Sequence, residues 1–584
     1  MTRLPLLTTA ALALLVAAPV ARAQNPIPEG PDASSLPQFT GSPFTPQPVA
    51  TPAPPRHPFM APNGSSNLHE DAYQSDASAR TGPLGRDMRR TSTFYSRECA
   101  SITFDSRSRL VTVCVGLDRP ILKLLEPRTL RELATYDLPP RRTGGDPSGA
   151  FTSFGGGGYF YLDDQDRAVI PTSDFHIVTI AVKGDAFVKE GDVDVSAVVP
   201  SDDSIISALP DWSGAIWFVS KSGVVGRIDP VTKQPRVKAL GEPIGNSFAI
   251  GDDGGVYIVS DAALYRFDTG ADGAPAVTWR ETYANTGQLK PGQTERGSGT
   301  TPTLMGSDLV AITDNADPMD IVVYRRAPTV SGSRLVCTVP VFAKGASDTD
   351  QSLIATDRAI VTENNYGYSG PTATEQGRTT TPGLERVDVD RASGTCRKVW
   401  HSDEIAPSVV PKLSLGSGLV YTYTKDKRDD NADAWFLTTL DFRTGKTVYK
   451  RLAGEGLGYN NNYAPVTFGL DGTVYVGVLG GMVSLRDASA PPQGPAPGAS
   501  PSPGRRAAAR VGVRVTRGRR RCVVRVTGAD RGLARRLSVM AATRRLVRRD
   551  ARSPLRLHVR RRHRALRYVV TLRDRRRVTV RGRC

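Results

Sequence analysis

The sequence predicts an all-β protein: an eight-bladed β-propeller, with seven blades as the alternative count, followed by a small C-terminal β-sandwich of immunoglobulin-like type. Three observations lead there. Of 584 residues, 39% are apolar while 56 are Gly and 44 are Pro, a turn-rich composition that disfavours a helical bundle. A turn followed by an alternating apolar strand recurs through the middle of the chain at a spacing of roughly one blade. Near the C-terminus, apolar residues alternate with Arg, the period of two that marks strands.

The chain opens with Arg3, an apolar stretch from Leu4 to Val20 and the small-x-small triplet Ala21-Arg22-Ala23. This order predicts a signal peptide over residues 1–23, cleaved after Ala23. The stretch is shorter than about 20 residues and holds Pro5 and Pro19, which argues against a membrane anchor. No later run reaches spanning length, so no transmembrane span is expected after cleavage, and the expected location is secreted or extracellular, in association with the cell envelope. Residues 24–92 are rich in Pro, Ser, Gly and Ala without apolar periodicity, which predicts a Pro-rich disordered linker.

Residues 93–487 carry the repeat. Its clearest copies are "DWSGAIWFVS", "GDDGGVYIVS" and "GLDGTVYVGV". The first strand residues after successive turns are Leu110, Ala168, Ile216, Val256, Leu309, Ala359, Leu419 and Val474, a mean step of 52 residues. A four-stranded blade takes roughly 40 to 50 residues, so eight units fit. Seven would result if the first and last repeats shared one blade. Tandem sandwiches of roughly 100 residues would not place the same signal at half that spacing. The stretches "GAIWFVSKSGVVGRIDPVTKQ" and "GGVYIVSDAALYRFD" resemble blades of secreted bacterial propellers of the quinoprotein-like (PQQ-like repeat) and streptogramin-lyase-like groups. That resemblance implies the propeller scaffold and leaves the activity open. The vicinal Cys pair often found near the quinone cofactor is absent from this chain.

A second Pro-rich linker occupies residues 488–504, and an Arg-rich β domain fills 505–584. The division explains the charge. The whole chain carries a formal +18, but residues 505–584 hold 29 Arg and three Asp, a local net of +26. The remainder, with 47 basic and 55 acidic residues, is at −8. A nucleic-acid partner is not expected, because Tyr568 is the single aromatic residue among the tail's arginines and export is predicted. An anionic envelope polymer is the partner such a tail suits.

Six cysteines follow the signal peptide, and three local pairs are expected. Cys99 and Cys114 are equidistant from a hairpin turn at Ser106 and Arg107. Cys337 and Cys396 sit in comparable strands of successive repeats. Cys522 and Cys584 bracket the tail.

In a four-stranded blade, the loops between strands two and three share a face with the loops joining blades. One channel mouth should therefore gather Asp314, Asp317 and Glu363 as candidate Ca²⁺ or Mg²⁺ ligands, since such hard cations prefer oxygen donors. Asn364, Asn365, Asn460, Asn461 and Asn462 would serve there as candidate ligand-binding amides for a small molecule or protein. The competing expectation is that these residues only build the turns. His176 is the candidate general base of an enzymatic alternative, a metal-assisted lyase or lactonase, while a quinone-dependent dehydrogenase is the other. The sequence contains no Gly-x-Ser-x-Gly elbow and no His-Glu-x-x-His motif. The function expected first is a non-enzymatic binding or interaction scaffold of the cell envelope.

Overall fold

The computed structural model describes residues 25–142 and 155–489, and by backbone alone the strands between 512 and 582. The expected signal peptide, most of the expected 488–504 linker and the expected Cys522–Cys584 pairing lie outside the described residues.

Eight blades form the body. Residues 98–137, 161–194, 205–239, 249–282, 303–340, 354–402 and 412–455 supply the first seven, each an antiparallel meander running outward from the axis. The eighth takes three strands from residues 466–487 and its outermost from the N-terminal strand Met88–Phe94, which pairs Met88 with Asp487 and Phe94 with Gly481. No blade is shared between the first and last repeats, and the count is eight. The second strands start where the repeat places them: Ile216–Ser220, Val256–Val259, Leu309–Thr313 and Val474–Val478 are buried almost throughout. The outermost strands face water on one side, as in Ala186–Asp194. Burying both faces of the inner strands between neighbouring blades supplies the main apolar stabilisation.

The repeat signature has a local cause. Asp105 Oδ1 accepts the amides of Arg107 and Arg109, Asp163 Oδ1 those of Gln165 and Arg167, and Asp211 Oδ1 those of Ser213 and Ala215. Each carboxylate closes the turn between the first and second strands by a side-chain bond to the backbone. The same Asp cap recurs at Asp253 and Asp471, while the Thr356 and Ser414 hydroxyls take its place in blades six and seven.

The largest departure from expectation is the N-terminal segment. Residues 24–92 read as a disordered linker, yet residues 25–94 are built into the propeller. Phe39–Gly41 extends the seventh blade by pairing with Tyr449–Arg451. Residues 57–80 then wind around the inside of the ring, bonding the last residues of the innermost strands. Asn63 Nδ2 donates to Phe104 O in blade one, and Ala61 N donates to Leu162 O in blade two. Ile250, Leu304, Ala355 and Leu413 in blades four to seven donate their amides to Ala72, Tyr73, Ser75 and Asp76. Arg80 Nη1 donates to Phe468 O in blade eight, and Phe59 lies against Gly214 of blade three. Such a segment has no periodicity of its own, because each residue's surroundings are set by whichever blade it passes. Proline suits the path, since an extended chain that mostly accepts from strand edges can do without some of its own amides.

Two disulfides join the expected partners. Cys99 faces Cys114, but by a different route from the simple hairpin. Phe104 pairs with Leu110 and Ile102 with Thr112, a register that would oppose Cys99 to Val115; a bulge between Cys99 and Ile102 shifts it by one. Cys337 and Cys396 tie the outermost strands of blades five and six.

Residues 500–584 form a separate compact unit. Its backbone strands make two antiparallel sheets, one of Gly512–Arg517, Arg521–Thr527 and Arg556–Arg560, the other of Arg544–Asp550, Ala534–Ala541, Leu566–Leu572 and Arg577–Gly582.

Candidate functional site

The axis of the ring is where loops from all blades meet, and it is filled by the chain. On the side of the Asp-capped turns, the N-terminal segment occupies the channel. On the opposite side, the connector between blades four and five, residues 283–302, crosses the mouth. Lys290 Nζ donates to Ser347 O at 3.1 Å, Thr294 Oγ1 to Asp350 Oδ2 at 2.8 Å, and Gly367 N to Pro291 O. Tyr463, between blades seven and eight, donates to Gly292 O at 3.4 Å. The close approach requires glycine at 292: its φ is +149°, and a Cβ there would run into Asn365 O and Asp348 Oδ1.

Between plug and connector stands a buried polar column. At its base, His69 Nδ1 lies 3.0 Å from Asp76 Oδ2 and 2.7 Å from Ser352 Oγ, while its Nε2 lies 3.3 Å from Thr301 Oγ1. Lys412 Nζ, on the innermost strand of blade seven, donates to Asp76 Oδ1 at 2.9 Å and to Leu68 O at 2.7 Å. Burial works to raise the Asp76 carboxyl, but the charges of Lys412 and His69 hold it below the ordinary range. Hydroxyl, imidazole and carboxylate stand in series here, as in a nucleophilic triad. With His69 2% exposed and Asp76 and Lys412 at 0%, however, the series serves the fold by fixing the plug to the ring.

Higher in the column, burial dominates. It pushes Glu98 and Asp348 up to about 8 and Asp350 to about 7. Both Asp348 carboxylate oxygens are buried without a hydrogen-bond partner among the described residues. Near neutral pH Glu98 and Asp348 are thereby mostly protonated and Asp350 about half so, and a protonated carboxyl can donate a hydrogen bond as well as accept one.

The residues singled out from the sequence serve mostly as fastenings between loops. Asn365 Oδ1 accepts from Thr349 Oγ1 and Asp350 N, and its Nδ2 donates to Glu363 Oε1 at 3.0 Å. Asn364 holds Asp348 N and Ala346 O. Asn460 and Asn462 each accept from Tyr368 OH, and Asn461 Nδ2 donates to Ala464 O and Gly477 O. Asp314 caps its own loop by accepting from Ala316 N and Asp320 N, and burial raises it to about 7. Asp317 accepts from Gly345 N, and burial pushes Glu363 well above its usual range. Among the described residues, no group of three or more His, Cys, Asp and Glu side chains comes together as a cation cage.

His176 does not join these carboxylates. It opens the third strand of blade two, where its Nδ1 bonds Asp192 Oδ1 at 2.6 Å across to the outermost strand, and that bond raises its pKa. Glu363 belongs to blade six, four blades away in a ring of eight and so on the opposite side. The residues missed from the sequence are those of the column. His69 and Asp76 fall in "SNLHEDAYQSDAS", whose charged and aromatic residues stand out from the Pro-rich text around them.

The fold is that of the β-propellers, all-β and eight-bladed. Solved structures similar to the chain include BamB from Moraxella catarrhalis, at 13% identity over 74% of this chain and 98% of that one with a TM-score of 0.39. Another is streptogramin B lyase, at 14% identity over 55% and 89% with a TM-score of 0.34. These are likenesses of fold. In sequence, the chain is 28% identical over 325 residues to an uncharacterized protein of Archaeoglobus fulgidus; the match takes in 50% of this chain and spans 62% of that relative's length. No family model matches the chain.

Proposed function

We propose that the protein is an exported, non-enzymatic propeller that acts as a binding and interaction scaffold at the cell envelope, with residues 505–584 as an immunoglobulin-like module that tethers it to anionic polymer. The observation that carries this reading is the filled axis. Plug, connector and buried column occupy the volume that a substrate would need to reach buried acid and base groups, which leaves the outer surfaces for partners. Two disulfides fit an oxidising compartment, and no helix among the described residues is long and apolar enough to cross a membrane. The tail's +26 suits attraction to phosphate or carboxylate polymers.

The test is fractionation of cells expressing the full chain and a chain ending at residue 504. The full chain is expected in the envelope fraction without residues 1–23 and released by raised salt, and the shortened chain in the medium. Equal retention of both would remove the tether, and cytoplasmic recovery of an unprocessed chain would remove export. A substrate screen giving robust turnover would overturn the non-enzymatic reading.

A further inference from the structure

The N-terminal segment builds a cavity as well as filling the axis. After Thr51, whose Oγ1 donates to Asp357 Oδ1 of blade six at 3.0 Å, the chain crosses the turn face. It lands on blade three, where the His57 ring lies 4.7 Å from that of Trp212, tilted by 54°. The crossing stretch holds Pro52, Pro54 and Pro55, and against it lies a cavity of about 770 Å³. That is within the range of small-molecule sites, roughly 300 to 1,000 Å³.

Its wall is apolar over much of its extent, formed by Pro54, Met60, Leu84, Leu415 and Leu470. Its charges divide by accessibility. Glu70, Asp471 and Asp487 are 3%, 6% and 8% exposed and face the protein, while the half-buried Asp71 accepts the amides of Tyr73 and Ser75 and the Ser75 hydroxyl. Asp487 accepts the amides of Leu84 and Arg86 at 2.8 Å, Asp471 pairs with Arg128 at 2.9 Å, and Glu70 stands 3.6 Å from Lys412 Nζ. Arg80 is committed to Asn63 O and Phe468 O. Arg56 and Arg86, in contrast, are exposed at the rim, and among the described residues neither guanidinium is paired with a carboxylate; that of Arg86 makes a long bond to Phe44 O at 3.5 Å. The cavity thus offers solvent an apolar interior with two available guanidinium groups beside it.

We propose that this cavity binds a single-chain amphiphilic anion, with its hydrocarbon against Met60, Leu84, Leu415 and Leu470 and its carboxylate or phosphate headgroup at Arg56 and Arg86. Guanidinium recognises either headgroup through paired N–H donors, and the apolar wall favours a chain over a free anion. The site stands apart from the scaffold role and does not depend on it.

The test is calorimetric titration of the full mature chain at moderate salt, with the chain ending at residue 504 titrated beside it to separate binding by the basic tail. The probes are dodecanoate, dodecyl phosphate, dodecyltrimethylammonium and inorganic phosphate, each below micelle formation. One saturable site for dodecanoate or dodecyl phosphate is expected, and the tighter of the two identifies the headgroup. The R56Q/R86Q variant, altered only at exposed positions, should weaken that binding at least tenfold, and L415W should do the same by filling the cavity. Binding unchanged in R56Q/R86Q, inorganic phosphate bound as tightly as the amphiphiles, dodecyltrimethylammonium preferred over them, or no saturable site in the wild type would each overturn the proposal.

Discussion

Lys412 Nζ and Asp76 Oδ1 meet at 2.9 Å with neither side chain reaching solvent, joining the innermost strand of blade seven to a segment more than 330 residues earlier in the chain. Removing one partner of such a pair leaves an uncompensated buried charge, at a cost of about 3 to 5 kcal/mol. Lys412→Met should therefore lower the unfolding free energy by that order in denaturant titration, and adding Asp76→Asn should restore part of it. An unchanged midpoint in the single variant would show that the pair does not hold the plug.

Stability should fall as pH rises through neutrality. Glu98, Asp348 and Asp350 have folded-state pKa values of about 8, 8 and 7, above those of the unfolded chain. The folded state therefore binds more protons between roughly pH 4 and pH 8, and the contribution present at low pH is lost on titration through the folded values. Melting at pH 8.5 should come several degrees below melting at pH 5.5, a difference Asp348→Asn should reduce. A melting temperature that rises over this interval would contradict the assignment.

The connector over the channel mouth turns on Gly292. Alanine there faces both a φ of +149° and a collision with Asn365 O, so Gly292→Ala should lift the connector from blade six. Hydrogen exchange at Gly367 N, whose acceptor is Pro291 O, is the direct measurement, and faster exchange is expected. Unaltered protection would mean that the connector is held elsewhere.

The Cys337–Cys396 bond closes 59 residues between the outer edges of adjacent blades. Loop-closure arguments give about 4 kcal/mol for a loop of this length, with measured values commonly lower. The C337S/C396S variant should unfold at lower denaturant concentration by an amount equivalent to about 2 to 4 kcal/mol. Equal midpoints with and without reductant in the wild type would show that the bond contributes little.

The ring was legible because its repeating unit is local. A tight turn, most often capped by Asp, and the strand after it lie within a dozen residues, and all eight second strands fall where Leu110 through Val474 place them. The plug was not legible because its partners are remote: nothing near Asp76 in sequence indicates Lys412. The channel-mouth residues were half legible. Asn and Asp mark loops in the sequence, but composition alone cannot distinguish an amide that waits for a ligand from one, like that of Asn365, already spent on Glu363 and Thr349.

Met88–Phe94 closes the eighth blade against Gly481–Asp487, and this sets an order of events during synthesis. A ribosome releases the closing strand before it has made any complete blade, and its partner emerges after the seventh. Throughout that interval the strand has no native mate, and blade one has no neighbour on one side. The ring can close only once nearly five-sixths of the chain exists, so folding of the whole propeller awaits its final hairpin. A chain interrupted before residue 481 would present an open arc with two unsatisfied ends, a species for chaperones and proteases to recognise.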